Sequence, residues 1–442
     1  MKTLVAALFF LASAAGGVAS GSDAENSLTY PQARGAAITD GGRGGDIIRV
    51  TNLKSKGAGS LRAALQTKGA RIVVFEVGGV IDLAGENISI TEPDLTLAGQ
   101  TAPSPGITII KGGLLVRTHD VIIQHMRIRP GDLGEAPRCG RDIDAITTIA
   151  AQNVIVDHNS LSWATDENLS ASGPRFTGET PDEWRKGASH NILFTNNLIA
   201  EGLANSTHAK GEHSKGSLIH DNTSNITIAY NLYAHNYERS PLFKGGVRGA
   251  LINNFIYNPG ARAIHYNLQG LEWGDAEKQT GRMAVIGNAM KAGPSTEPGL
   301  PMIMLGGDGD VEVATSNNLA YDRWGKPTPI FGRYTTSSAA IIERPFDPAT
   351  TKDLNVLEPH EVEAYVLKNV GARPWDRDGH DVRVLADTAE GRGEIIDSQE
   401  EVGGYPKVEP TRRAFNPKLW DLATMTPRSD KALSAESAAR GT

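Results

Sequence analysis

The chain has 442 residues, of which 39% are hydrophobic, so it can form one large folded domain or two ordinary ones. A formal net charge of −7 gives no support for nucleic-acid binding, and an acidic ligand would have to be met by local cations. The 49 glycines and only 6% aromatic residues favour a fold rich in strands and turns over a helical one.

The N-terminal segment has the pattern of a secretory signal peptide. Lys2 is followed by the apolar run "LVAALFFLASAA" and then by small residues. A membrane anchor needs about 20 apolar residues, and this run breaks at Gly16. We therefore predict that residues 1–20 are a signal peptide and that the protein is secreted. Since Cys139 is the only cysteine, the fold contains no intramolecular disulfide and depends on packing and hydrogen bonds.

Ahead of the main repeats, "SLRAAL" is predicted to be a helix that caps the first turns of the fold. A strand-like pattern then recurs along the chain. Each copy starts with a polar residue, alternates apolar residues and often ends in asparagine six positions later. The clear copies occupy 153–159, 191–197 and 225–231, two more end at Asn254 and Asn288, and looser ones begin at Asn87, Asp120 and Asp310. Alternation with period two predicts strands, and their near-regular spacing predicts a solenoid.

We predict an all-β fold, a right-handed parallel β-helix over residues 21–320, with peripheral loops and short helices. Asparagines at matching positions are expected to form a hydrogen-bonded ladder. Unequal spacing of the copies indicates loops inserted at one place in the turn, where function commonly resides. An antiparallel sandwich is the alternative, but the hairpin signals between copies are weak.

The repeat pattern fades from about residue 321. Residues 321–442 are predicted to be loops and short helices packed on the solenoid, with the end, after about residue 405, poorly ordered. The segment 359–372 has the pattern of an amphipathic helix whose apolar face carries three valines, Val362, Val366 and Val370.

Acidic residues form the first candidate site. Asp142 and Asp144 are two apart, so on a strand their carboxylates would share a face. Asp166 and Glu167 follow one repeat later, and stacked turns would bring these groups together. A set of oxygen ligands favours Ca²⁺. A solvated acidic loop is the alternative.

Three cations, Lys215, Arg239 and Lys244, flank the copy at 225–231. Taken singly each is an ordinary surface cation. Adjacent turns would nevertheless set them beside the acidic residues, in a cleft suited to a polyanion. Arg239 and Lys244 also bracket the apolar segment "PLF", which could fix them over that cleft.

Other catalytic motifs find little support. His158, His208, His213 and His220 do not have the spacing of a helical zinc motif, so a zinc site is not predicted. No nucleophile elbow, P-loop or dinucleotide fingerprint occurs in a strand-to-helix context.

The motifs "DIDAI", "NVIVDHNSLS" and "ERSPLFKGG" resemble those of secreted pectate lyases of polysaccharide lyase family 1. The last resembles the family's R-x-P-x-x-R segment, and the likeness covers about residues 40 to 270. The resemblance implies a right-handed parallel β-helix and Ca²⁺-dependent β-elimination of polygalacturonate, an acidic polysaccharide, to unsaturated products. It implies a secreted monomer without nucleic-acid or membrane partners.

Position by position, the resemblance implies that Asp144 and Asp166 are Ca²⁺ ligands and that Asp142 matches a ligand present in part of the family. It implies that Lys215 binds substrate and Arg239 is catalytic. Two positions depart from the pattern, because Ser162 stands where an acid is usual and Lys244 stands at the second arginine. Glu167 is a further candidate ligand that could compensate for Ser162.

In the implied reaction, Arg239 removes the C5 proton of a uronate while Ca²⁺ and Lys215 neutralise the adjacent carboxylate. An arginine base needs a desolvated, cationic site, and an alkaline optimum is expected. Two alternatives remain at this point: a polygalacturonase-like hydrolase, which needs paired carboxylates, and a non-catalytic solenoid that binds acidic glycans.

Overall fold

Short parallel strands form three long sheets in the computed structural model, which describes residues 38–345 and 354–428. The predicted signal peptide, residues 1–20, and the last part of the tail, residues 429–442, lie outside the described residues. Successive turns of the chain add one strand to each sheet, which confirms the predicted parallel β-helix.

The strands are grouped by sheet. Sheet 1 has eleven: Asp46–Val50, Arg71–Phe75, Leu95–Ala98, His119–Gln124, Gln152–Asp157, His190–Thr195, Ser224–Ala229, Arg248–Ile252, Gly281–Ile286, Val311–Ser316 and Ile341–Arg344. Sheet 2 has ten: Val77–Asp82, Ile107–Ile110, Arg127–Arg129, Ser160–Ser162, Leu198–Ala200, Leu232–Ala234, Phe255–Tyr257, Ala289–Lys291, Leu319–Tyr321 and, antiparallel, Thr411–Arg412. Sheet 3 has nine: Ile88–Ile90, Leu114–Val116, Ile146–Ile149, Leu169–Ser172, Leu218–Ile219, Leu242–Lys244, Ile264–Leu268, Ile303–Gly307 and Phe331–Arg333.

The remaining elements are short. The α-helices are α1 (Leu61–Leu65), α2 (Pro181–Gly187), α3 (Gly270–Trp273), α4 (Pro359–Asn369) and α5 (Gly379–Glu390). The 3₁₀ helices are Gly99–Thr101, Gln399–Val402 and Pro417–Leu419, and a small hairpin pairs Trp420–Asp421 with Thr426–Pro427. No helix in the described part of the chain has the length and hydropathy of a transmembrane span.

The repeats found in the sequence correspond to the strands of sheet 1. In register, Val154 pairs with Ile192, and Ile192 pairs with Ile226. The copy beginning at Asn87 is the exception, because it forms Ile88–Ile90 of sheet 3. In that turn the strand of sheet 1 is Leu95–Ala98, which the period-two pattern did not single out.

The interior is a continuous stack of apolar side chains. On sheet 1, Val154, Phe194 and Ile228 are fully buried in one core cluster with residues of all three sheets. Burying such a side chain contributes roughly 1.5–3 kcal/mol. The stack is therefore stabilised turn by turn, and the turns position the loops at its edges.

An asparagine ladder closes the bend between sheets 1 and 2, as predicted. Side-chain amides donate to the next turn's amide oxygen at 2.9–3.1 Å through six residues: Asn159, Asn197, Asn231, Asn254, Asn288 and Asn318. The oxygens also accept backbone N–H groups, as from Asn159 N to Asn197 Oδ1 at 2.9 Å. The ladder thus satisfies polar groups that the stack buries.

The C-terminal helices contact the outer face of sheet 2. The three valines predicted to share a face, Val362, Val366 and Val370, are fully buried in a cluster with residues of sheet 2 such as Leu232 and Phe255. Parallel strands continue past residue 320, as far as Ile341–Arg344.

Candidate active site

The predicted site residues lie on loops that join sheet 2 to sheet 3 in successive turns. The loop before Ile146–Ile149 carries Asp144, and the next carries Asp166 and Glu167. The following two carry Lys215 and Arg239. Because neighbouring strands are about 4.8 Å apart, side chains from adjacent turns can touch.

Three acidic residues converge at this edge. One carboxylate oxygen each of Asp144, Asp166 and Glu167 lie within 4.8 Å of one another. Asp144 accepts the hydroxyl of Thr147 and, at 3.0 Å, the backbone N–H of Glu167. The arrangement brings together ligand oxygens of the kind that a hard cation prefers.

Asp142 does not join this group of three. The expectation that Asp142 and Asp144 lie on a strand was wrong, because the strand begins at Ile146 and both aspartates precede it. Asp142 is exposed, and its Oδ1 lies 3.7 Å from His208 Nε2.

Crowding of the carboxylates changes their acidity. Burial, followed by the charge of Asp166, raises the pKa of Asp144 to about 8. Burial also acts to raise the pKa of Asp166, but the hydrogen bond and charge of His213 outweigh it and lower that pKa. Because burial and the charge of Asp166 disfavour the ionised form of Asp144, a bound cation would stabilise that carboxylate.

Two histidines support Asp166. His213 Nε2 lies 2.7 Å from Asp166 Oδ1, and the His208 ring stacks on His213 with centroids 3.6 Å apart. His208 Nδ1 accepts the backbone N–H of Lys210, so the Nε2 of its neutral ring carries the proton and acts as a donor. The pair therefore orients the carboxylate, a role that the sequence spacing gave no means of predicting.

Arg239 reaches the acidic group from its left-handed backbone conformation, φ 63°. Its Nη1 pairs with Glu167 Oε1, and within the described residues its buried Nε has no hydrogen-bond partner. Burial lowers the pKa of Arg239. A guanidinium with lowered pKa beside a cation site is a group that could exchange a proton.

Glu238 is a site residue that the sequence analysis missed. Backbone bridges stack Glu167, Lys215 and Glu238 in three successive turns. Lys215 Nζ and Arg262 Nη2 both pair with the Glu238 carboxylate. Burial, followed by the charge of Arg262, lowers the pKa of Lys215 to about 7. In the sequence, the only indication of a role for Glu238 was its position next to Arg239.

Lys244 lies at the end of Leu242–Lys244 and is held by acids. Its Nζ pairs with Glu272 and lies 3.5 Å from Gln269 Oε1 and 3.5 Å from Asp221 Oδ2. Its position in the cleft agrees with the prediction, but its charge is matched by neighbouring carboxylates.

A cleft of about 830 Å³ is lined by most of these groups, although Asp144 and His208 are not among its lining residues. Residues from five turns line it, among them Glu167, Lys215, Arg239, Lys244, Arg262 and Tyr334. The Tyr334 ring lies over Gly306, where a Cβ atom would come within 2.3 Å of Tyr334 Cζ, and the Arg262 guanidinium lies 4.7 Å from the ring centre. The cleft therefore presents acids, cations and one aromatic wall along the solenoid.

Ser162 lies in sheet 2 and its side chain contacts another element. Its Oγ is 3.3 Å from His380 Nε2 of α5, and the residue is fully buried. Ser162 therefore contributes to the contact between sheet 2 and α5.

Comparison with known proteins gives relatives over most of the chain. A probable pectate lyase C of Emericella nidulans is 32% identical over 392 residues, covering 86% of this chain and 81% of the relative. One of Aspergillus terreus is 32% identical over 388 residues, covering 85% and 81%. No protein-family model matches the chain.

Solved structures agree with the fold. The major cedar pollen allergen jun a 1 superposes with a TM-score of 0.52 at 19% identity, covering 76% of this chain and 91% of the allergen. The thermostable pectate lyase PL 47 gives 0.50 at 14% identity, covering 74% and 92%. At these identities the structural likeness concerns the fold, whereas the sequence relatives extend to the segments that carry the site. This chain therefore belongs to the pectate lyase family.

Proposed function

We propose that the protein is a secreted enzyme that cleaves polygalacturonate by Ca²⁺-assisted β-elimination and releases 4,5-unsaturated oligogalacturonides. The observation that carries the proposal is the contact of Arg239 with the group Asp144, Asp166 and Glu167 in a cleft lined by cations. Family membership supports the reaction class, and the cations suit an acidic polymer. The enzyme would act as a monomer, without nucleic-acid or membrane partners.

The three carboxylates fit a calcium ion. Their oxygens lie within 4.8 Å of one another, and calcium accepts irregular sets of oxygen ligands. The raised pKa of Asp144, which reflects burial and then the charge of Asp166, is a cost that a bound cation would remove. Asp144, Asp166 and Glu167 would hold the ion, whereas Asp142 lies beside His208, with its Oδ1 3.7 Å from Nε2.

Calcium, when bound, would supply positive charge that neutralises a substrate carboxylate. Because a neighbouring carboxylate favours the charged form of a lysine, Lys215 would bind the same substrate carboxylate as a cation and offset the charge that develops beside C5. If Glu167 serves as a ligand, its ion pair with Arg239 would weaken, and the guanidinium, whose Nε also lies 3.9 Å from Glu238 Oε1, would face the substrate. Lys244 would contact the sugar in the neighbouring subsite.

Arg239 would take the C5 proton. The C5–H electron pair then forms the C4=C5 double bond, the C4–O bond breaks, and the leaving oxygen gains a proton from water. A guanidinium normally stays protonated, but burial lowers the pKa of Arg239 and enlarges its neutral fraction at alkaline pH.

The test is an assay of purified protein with polygalacturonate, in Ca²⁺ or in chelator, followed by ultraviolet absorbance of the unsaturated product. Calcium-dependent absorbance is expected. Reducing ends without absorbance would indicate hydrolysis, and binding without either would indicate a non-catalytic protein.

Replacing the base tests its assignment. Arg239→Ala and Arg239→Lys should each lower kcat by at least about 100-fold, the contribution of a general base. The exposed Arg323 provides a control, and Arg323→Ala should keep full activity. Wild-type turnover in a folded Arg239→Ala protein would contradict the role.

A further inference from the structure

The strands of sheet 3 divide the lining of the cleft into two sides, one before and one after each strand, and these sides differ in charge balance. On the side that follows the strands, away from the acidic group, the cations are Arg175 and Lys244 and the anions are Asp221 and Glu272. Arg175 Nε lies 3.0 Å from Asp221 Oδ2, and its Nη2 lies 2.7 Å from Glu272 Oε2. Lys244 pairs with the same two carboxylates. Two cations and two anions thus form a closed, neutral network.

Burial fixes the Asp221 and Lys244 part of this network in place, whereas the Glu272 side chain is 36% exposed. The Asp221 side chain is fully buried and that of Lys244 is 9% exposed. Trp273 Nε1 of α3 donates to Asp221 Oδ1 at 2.8 Å. Burial lowers the pKa of the adjacent His220 to about 4, so that this ring adds no charge at neutral pH. A substrate carboxylate entering here would meet no free positive charge.

The side of the cleft that precedes the strands of sheet 3 is different, because its acidic residues form the proposed Ca²⁺ site. Lys215 and Arg262 share Glu238 there, while Asp144, Asp166 and Glu167 form the proposed cation site. A divalent ion held by Asp144, Asp166 and Glu167 would offset most of their charge, so that Lys215, Arg239 and Arg262 would leave this side with an excess of positive charge. A uronate carboxylate would therefore be bound most strongly on this side.

We propose that the subsite formed by Arg175, Lys244, Gln269 and Glu272 accepts an uncharged, esterified galacturonate residue, and that Glu272 determines this specificity. The inference rests on the proposed function and narrows its substrate to partly methyl-esterified polygalacturonate. The Gln269 side chain lies beside Lys244 on this side of the cleft. It is a neutral donor and acceptor suited to ester and hydroxyl oxygens.

The experiment compares kcat/KM on unesterified polygalacturonate and on pectin of intermediate methyl esterification, using product absorbance for both. Glu272→Gln frees the charge of Lys244, so the ratio of unesterified to esterified activity should rise about fivefold, the effect of one partly exposed ion pair. Arg175→Gln leaves Glu272 in excess and should shift the ratio in the opposite direction. Glu277→Gln, an exposed glutamate beyond α3, is the matched control and should leave the ratio unchanged.

Thermal unfolding of each variant establishes that it is folded. An unchanged ratio in folded Glu272→Gln and Arg175→Gln would overturn the inference, as would wild-type activity that falls with each added ester. If the wild type forms no unsaturated product from either substrate, the proposed function itself fails, and that outcome is distinct from an unchanged ratio.

Discussion

At the scale of single residues, the acidic group depends on two neighbouring histidines. His213 holds Asp166 through one hydrogen bond, and His208 supports the His213 ring. Loss of such a partner typically lowers metal affinity by about 10–100-fold. We therefore expect His213→Gln to weaken Ca²⁺ binding by that factor, measured by titration calorimetry. His119→Gln, which alters an exposed histidine beside Asp120, is the control.

Unchanged calcium affinity in a folded His213→Gln protein would exclude the orienting role.

The single residues also differ in how far the sequence predicted them. Asp166, Lys215 and Arg239 were accessible because each lies in the segment that follows a recognisable strand copy. Glu238 and Arg262 were missed because their importance comes from contacts between turns, which no local pattern records.

At the scale of elements, α5 is joined to the solenoid by buried charge. Arg129 of sheet 2 contacts both Asp378 oxygens, at 2.7 and 2.9 Å, and Asp381 at 2.9 Å. Burial acts to raise the pKa of Asp378, but the charge of Arg129 outweighs it and lowers that pKa below its ordinary value of 3.8. The stabilisation is thus present above about pH 4 and is lost as the pH falls further.

Asp378→Asn should lower the free energy of unfolding at pH 7 by about 3–5 kcal/mol, because Arg129 stays buried with less compensation. The deficit should shrink as the pH falls to 3, measured by urea denaturation. Asp40→Asn breaks an exposed pair with Arg43 and serves as the control. A deficit that is independent of pH would contradict the ion-pair explanation.

The elements themselves were predicted to different degrees. The valine face of α4 was evident from its periodicity, and its burial follows from that pattern. The attachment of α5 to sheet 2 was not evident from the sequence, because Arg129 and Asp378 are far apart in it. The short strands of sheets 2 and 3, such as Leu218–Ile219, were also not evident because two or three residues carry no measurable alternation.

At the scale of the whole molecule, the asparagine ladder links the turns. Asn231 accepts from Asn197 and donates to Asn254 and to two backbone carbonyls. Asn231→Ala should lower the free energy of unfolding by about 2–4 kcal/mol, because more than one buried group loses its partner. Asn225→Gly removes an exposed amide at a left-handed position, φ 52°, and should change the stability little. If both variants lost the same free energy of unfolding in chemical denaturation, burial in the ladder would not explain the contribution of Asn231 to stability.

The parallel stack has a consequence for the distances within the active site. The residues of the candidate site precede consecutive strands of sheet 3, so their separation along the stack equals the strand separation, about 4.8 Å for each turn. The loops that carry Asp144 and Arg239 differ in length, yet both end at the start of a strand of that sheet. Insertions within a loop therefore leave this interval intact, and the enzyme can change the walls of its cleft while the spacing of its charges along a linear polymer stays constant.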